Sequence, residues 1–299
     1  MSPRTLKGLA AALLGLALLW ALLLHLERRA PGPAPLWADA ESAGKILLQG
    51  PGAGEVLLVR ETSSWRLKEP FDQPADADAV QALLRKLAHV SVSEPLSASF
   101  ERHAAFGLLE PGLRLKAFAL PTDAEPALDL LVGAPGPDFD SFFFRRPPSG
   151  EVREARGLAR GELEREGGEW ADRLLCSIAS DTVRAVEARS KASALVLSGP
   201  PLAEPAAAPV LAALARLQAD RALPEKDAAP SVLRSLADPW LRLKVRYAQR
   251  AGPAAPERTL EVFFGPRTED QAHYARVKGR EGVLFKLSAW KLAPFQAAQ

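Results

Sequence analysis

Much of this chain's pattern occurs twice, and that repetition limits its fold more than any other feature of the sequence. Leu109-Glu-Pro-Gly-Leu-Arg-Leu-Lys116 is answered later by Ala237-Asp-Pro-Trp-Leu-Arg-Leu-Lys244, with Leu-Arg-Leu-Lys identical. Leu128-Asp-Leu-Leu-Val-Gly133 is answered by Leu260-Glu-Val-Phe-Phe-Gly265. In both places an acidic residue and a proline close a turn, and alternation such as Leu113, Leu115, Ala117 then marks a strand buried on one face. Upstream, Val80, Leu83, Leu84, Leu87 and Val90 recur at helical spacing behind Asp76 and Asp78. Their counterparts are Val210, Leu211, Leu214 and Leu217. Ahead of each helix stands a predicted hairpin, Val56–Val59 with Trp65–Lys68 in one half and Val183–Val186 with Ala194–Leu197 in the other. Strands carrying aromatics follow in each half, Phe142–Arg145 and Tyr274–Arg276.

Each half therefore reads strand–strand–helix–turn–strand–strand–strand. The expected class is α+β, with two tandem repeats of a mostly antiparallel sheet and one covering helix each, because the strand–helix alternation of a doubly wound fold is missing. The expected divisions are a tail and anchor at 1–29, a Pro/Gly linker at 30–42, a first repeat at 43–178 and a second, degenerate repeat at 179–299. Gly150 to Gly168 reads as a charged loop between them, and Trp170 to Cys176 as a short helix.

The first division rests on Gly8 to Leu26, GLAAALLGLALLWALLLHL, whose one ionisable side chain is His25. At about 1.5 Å per residue this stretch makes roughly 28 Å of helix, close to the ~30 Å hydrocarbon thickness of a bilayer. Arg4 and Lys7 flank its start, and Arg28 and Arg29 its end. A secretory signal has a shorter apolar region and a small-x-small site soon after it, whereas here the nearest A-x-A pattern with useful context is Ala38-Asp39-Ala40, more than ten residues past the apolar end. The stretch is predicted to stay as an uncleaved single-pass anchor. The short tail suits a cytoplasmic N-terminus, placing the body outside the cytoplasm, although the flanking charges are nearly even. One cysteine, Cys176, forms no internal disulfide and leaves the compartment open.

Charge is almost balanced, with 38 Lys and Arg against 36 Asp and Glu. No basic stripe interleaved with aromatics appears, so nucleic acid is not an expected partner. Catalytic patterns are sparse. The histidines His25, His89, His103 and His273 form no H-x-x-x-H or H-E-x-x-H spacing, so no metal site is expected. Gln49-Gly-Pro-Gly-Ala-Gly54 lacks the G-K-[ST] ending of a phosphate loop and reads as a turn. Asp72, Asp76 and Asp78 read as the capped start of a helix. Cys176 reads as a small buried side chain. Ser288-Ala-Trp-Lys291 has S-x-x-K spacing without its companion motifs, and Ser288 reads as the N-cap of a final short helix. No cofactor and no catalytic residue is expected. The run Phe139, Phe142, Phe143 and Phe144 is the candidate interaction surface, since consecutive strand residues face both ways and an exposed apolar set marks partner sites. Burial of both faces is the plainer alternative.

The order of motifs resembles a bacterial family of domains of unknown function, DUF4340. Those motifs are the leucine-rich anchor, Trp65-Arg-Leu67 with Pro70, an Asp-led helix, Phe106-Gly-Leu108 with Pro111, and Leu130 with Gly133. In the second half the Trp and Gly-Leu elements are missing, with Ala194 and Leu236-Ala237 in their place. The resemblance implies a protein of the bacterial inner membrane with an extracytoplasmic body. It further implies association with an ABC-type transporter permease or the auxiliary component linked to gliding motility, and it supplies no catalytic residues. The expected function is a non-enzymatic scaffold or binding module. The alternatives are a cell-envelope hydrolase with a site assembled only in the fold, and a periplasmic small-ligand receptor with a cleft between the halves.

Overall fold

The computed structural model describes residues 15, 16, 20, 35–51, 54–199, 207–250 and 256–296. The expected membrane span lies outside the described residues apart from Gly15, Leu16 and Trp20, which are helical. No helix among the described residues is long and apolar enough to cross a membrane.

The protein is a mixed α/β structure with antiparallel sheets and few helices. In the first half, β1 (Lys45–Gly50), β2 (Gly54–Arg60), β3 (Trp65–Glu69) and β4 (Gln73–Pro74) precede helix α1 (Ala77–His89). Strands β5 (Ser91–Val92), β6 (Leu113–Phe118), β7 (Leu128–Pro135), β8 (Ser141–Arg145) and β9 (Arg153–Arg156) complete a nine-stranded sheet, ordered β4-β3-β2-β1-β6-β7-β8-β9-β5. Helix α1 forms because Asp76 accepts from Ala79 N–H at 3.0 Å, capping an orphan donor, while Val80, Leu83, Leu84 and Leu87 bury one face.

After a short helix α2 (Arg160–Leu163) and β10 (Leu174–Cys176), the second half places β11 (Val183–Ser190), β12 (Ala194–Ser198), α3 (Ala207–Ala215), β13 (Leu217–Gln218) and β14 (Arg221–Pro224). Then come α4 (Pro230–Ala237), β15 (Leu241–Ala248), β16 (Glu257–Arg267), β17 (Ala272–Val277) and β18 (Val283–Ser288). The second sheet is ordered β12-β11-β15-β16-β17-β18-β14, and β10 pairs with β13 apart from it.

The strand pairings repeat in register. Leu113, Leu115 and Ala117 oppose Val132, Leu130 and Leu128, just as Leu241, Leu243 and Val245 oppose Phe264, Val262 and Leu260. The ladder beyond each is irregular at the same point, between Val132 and Pro135 and between Phe264 and Arg267. The glycines there explain themselves. A Cβ on Gly133 would stand 2.2 Å from the Phe106 carbonyl oxygen, and one on Gly265 would stand 2.9 Å from Ser235 Oγ. Each strand yields space to a segment crossing its outer face.

Three local expectations are corrected. By strand order the hairpin facing β11–β12 is β1–β2, not β2–β3; β3 and β4 extend the first sheet only. The segment read as a loop between the halves carries β9, held between β8 and β5, with Ala155, Leu158 and Leu163 buried. Trp170–Cys176 is not a helix: Ala171 bridges Ala75, Trp170 is buried, and residues 174–176 form β10. Pairing partners distant in sequence decide all three, and local composition carries no trace of them.

Candidate functional site

The two halves meet around the first turn of α1. Asp76 N–H donates to the Trp170 carbonyl at 2.8 Å, and Asp172 N–H to the Pro74 carbonyl at 2.8 Å, so the connecting segment is stitched to the first sheet. From the far side, Arg280 in the β17–β18 turn donates to the Leu174 carbonyl at 2.8 Å, the Asp172 carbonyl at 2.7 Å and Gln73 Oε1 at 3.3 Å. Gln73, itself buried, donates back to the Glu281 carbonyl at 3.0 Å. Burial pushes the Arg280 pKa below the ordinary guanidinium value, with Asp172 pulling the other way. Its plane lies over Phe285, 4.6 Å from the ring centroid.

Beside this junction opens a cleft of about 390 Å³. Ala75, Asp76 and Asp78 line it from the first half, Leu174 and Ser177 from the connecting segment, and Arg216 and Gln218 from the second half. A second hollow of about 450 Å³ lies on the other side of the same helical turn, between Glu41, Arg60, Trp65 and Gln81. The walls are mixed in charge and carry both donors and acceptors.

The four candidate phenylalanines part company. Phe142 and Phe144 are buried in the core, edge to face with ring centroids 6.3 Å apart. Phe143 is half-buried against Phe106, in a small cluster with Leu108, Leu131 and Val152 on the outer face. Only Phe139, in the turn before β8, is open, at 95% exposure. The surface predicted from the run is thus reduced to Phe139, because alternation buries one set in the core and the crossing segment covers the other.

The remaining candidates are engaged in local contacts. His103 Nε2 contacts the Gly150 carbonyl at 2.9 Å. His273 Nδ1 contacts the Gly265 carbonyl at 2.9 Å, and its ring stacks on Trp240 at 4.6 Å. Burial holds the His273 pKa below its ordinary value; the Gly265 contact opposes the shift and Arg267 adds to it. His89 Nδ1 sits 2.8 Å from the Arg85 carbonyl in the last turn of α1. Cys176 is buried, its thiol pushed up to about 11 by desolvation, which leaves it a poor nucleophile. Asp72 ion-pairs with Arg66 and Lys68 rather than capping α1.

Ser288 stands at the N-cap position of the last short helix, but its hydroxyl does not cap it. Instead Ser288 Oγ donates to Asp220 Oδ2 at 2.8 Å, and Lys291 Nζ donates to the other oxygen of the same carboxylate. Burial would raise the Asp220 pKa, but the bonds from Lys291 and Ser288 outweigh it and hold the carboxyl low. Both members of the S-x-x-K pair are engaged by this carboxylate. Among the described residues, no group of three His, Cys, Asp or Glu side chains is placed to hold a metal.

Residues 65–201 match the family model described as "Domain of unknown function (DUF4340)". The chain carries a DUF4340 domain. The matched span starts at β3 and ends just past β12, so the DUF4340 match crosses from the first sheet through the connecting segment into the second. Comparison with curated proteins and with solved structures gave no match.

Of the residues lining the cleft, the sequence marks Asp76 and Asp78, and those only as the capped start of a helix. Gln73, Asp172, Arg216 and Arg280 are ordinary polar residues in sequence, and only their convergence distinguishes them.

Proposed function

We propose that this DUF4340-containing protein is a membrane-anchored, extracytoplasmic scaffold or binding module acting beside a membrane complex of the ABC-transporter kind. The observation that carries the reading is the apolar stretch Gly8–Leu26 directly ahead of a folded body. Leu16 and Trp20 within it are helical and expose 68% and 69% of their surface, apolar area that lipid would cover. A body of two sheets locked by Arg280 suits a rigid docking platform. The matching strand order and registers of the two sheets further support the reading that the halves are copies of one unit.

The test is crosslinking of the full-length protein in intact membranes, followed by purification in mild detergent and mass spectrometry. Recovery of a transporter permease or its ATPase, lost on deletion of the body beyond residue 36, is the expected result. Recovery of neither, with the body still folded, counts against the proposal.

A second reading, a small-ligand receptor, draws on the cleft between the halves, whose walls come from both. It predicts that a polar metabolite raises the thermal midpoint of the protein and that Arg216→Ala together with Gln218→Ala abolishes the rise.

A further inference from the structure

The body is joined to the apolar stretch at a defined place. Pro35 forms an antiparallel bridge with Ser91 in the outermost strand of the first sheet. Leu36 N–H donates to the Val90 carbonyl at 2.9 Å, and its own carbonyl accepts from Arg146 at 2.8 Å. The entry point is therefore pinned to the β5 edge and to the loop that follows β8.

Only residues 27–34 separate that point from the end of the apolar stretch. Eight residues reach at most about 29 Å even when fully extended. A body of this size has a radius of gyration of ~18 Å and is roughly 45 Å across. The tether is shorter than the body is wide, so the β5 edge cannot turn its back on the bilayer.

Along that same edge two large apolar side chains stand in water. Leu96 N–H donates to the Val152 carbonyl at 2.8 Å and the Leu96 side chain is 45% exposed. Phe100 follows, 66% exposed, its ring tilted on His103 at 4.9 Å, while His103 is held to the Gly150 carbonyl. Both side chains project from a segment fixed by backbone and ring contacts. Apolar side chains presented from a fixed segment at a membrane-facing edge suit the headgroup boundary, where such groups are buried a few ångströms deep.

We infer that the segment from Glu94 to Arg102 is a lipid-contacting face, with Leu96 and Phe100 entering the bilayer interface beside the anchor. The inference rests on the anchoring reading above and adds which face meets the membrane. Charge in the segment is mixed, Glu94 and Glu101 against Arg102, so contact depends on apolar insertion more than on anionic lipid.

The test places an environment-sensitive NBD label at Leu16→Cys, Leu96→Cys, Phe100→Cys and, as a control on the far sheet, Val196→Cys. The probe membranes are phosphatidylethanolamine–phosphatidylglycerol vesicles holding the full-length protein. Unsubstituted protein serves as the blank, since Cys176 is buried. Labels at residues 16, 96 and 100 are expected to brighten severalfold and to be quenched by doxyl lipids, while the label at Val196 is quenched only from water. If the label at 16 is in lipid and those at 96 and 100 are not, the inference falls while anchoring stands. If the label at 16 is also in water, the anchoring reading fails and takes the inference with it. If the label at 196 enters lipid like the others, the orientation proposed here is overturned.

Discussion

Arg280 and Gln73 bind each other across the junction of the two sheets, Nε to Oε1 at 3.3 Å, though they lie at opposite ends of the body's sequence. Arg280 also holds two carbonyls of the connecting segment, so one guanidinium ties three stretches of chain. Charged hydrogen bonds contribute about 1.5–3 kcal/mol each, and removing one partner leaves buried acceptors unsatisfied. Arg280→Ala is expected to lower unfolding free energy by roughly 3 kcal/mol. Arg280→Lys, which keeps the charge but loses the planar fork, should recover part of that loss. Urea midpoints of the two variants check the order; equal midpoints for wild type and Arg280→Ala would refute the clamp.

The paired glycines separate by what they approach. A methyl group at Gly133 meets a backbone oxygen that cannot move without shifting the chain, whereas at Gly265 it meets the end of a serine side chain. Gly133→Ala should cost about 3 kcal/mol or more and Gly265→Ala about 1 kcal/mol or less. Thermal unfolding of the two single variants decides the ranking.

Phenylalanine positions should diverge in the same way. Phe142→Ala removes a fully buried ring and should destabilise by about 3–5 kcal/mol. Phe139→Ser alters an exposed turn and should stay within ~0.5 kcal/mol of wild type. Similar losses at both positions would contradict the burial described.

The pH response of His273 has a definite sign. Its folded pKa lies below the ordinary 6.5, so at acid pH the unfolded chain binds the proton more readily. Its contribution is complete above the unfolded value and is lost as pH falls from about 6.5 toward the folded pKa. The depressed carboxylates Asp72, Asp220 and Glu261 respond further down, near and below their ordinary values of 3.8 to 4.5. Between pH 6.5 and 5 the slope of stability should therefore flatten in His273→Asn, as read from urea midpoints at stepped pH. An unchanged slope would show that His273 does not titrate in that window.

Cys176 reports unfolding. With its thiol pushed up to about 11 and buried, alkylation by iodoacetamide at pH 8 should be far slower in the native protein than in urea. Rapid native alkylation would mean that the segment around β10 opens readily.

The sequence alone determined the elements with strong local periodicity. Helix α1 with its Asp76 cap, and the strands around Leu113–Ala117 and Leu241–Val245, were legible because burial on one face leaves a period in the chain. It also determined the registers implicitly, since a slip of one residue in β6 or β15 would turn Leu115 or Leu243 to water. Tertiary structure alone decided that β9 is a strand, that β1 rather than β3 is the partner of β6, and that Phe142 and Phe144 are core while Phe139 is not. The cleft and the Arg280 clamp belong to the same class. Their residues come from stretches that local interactions do not link, and only the burial of both sheets against one connecting segment brings them together.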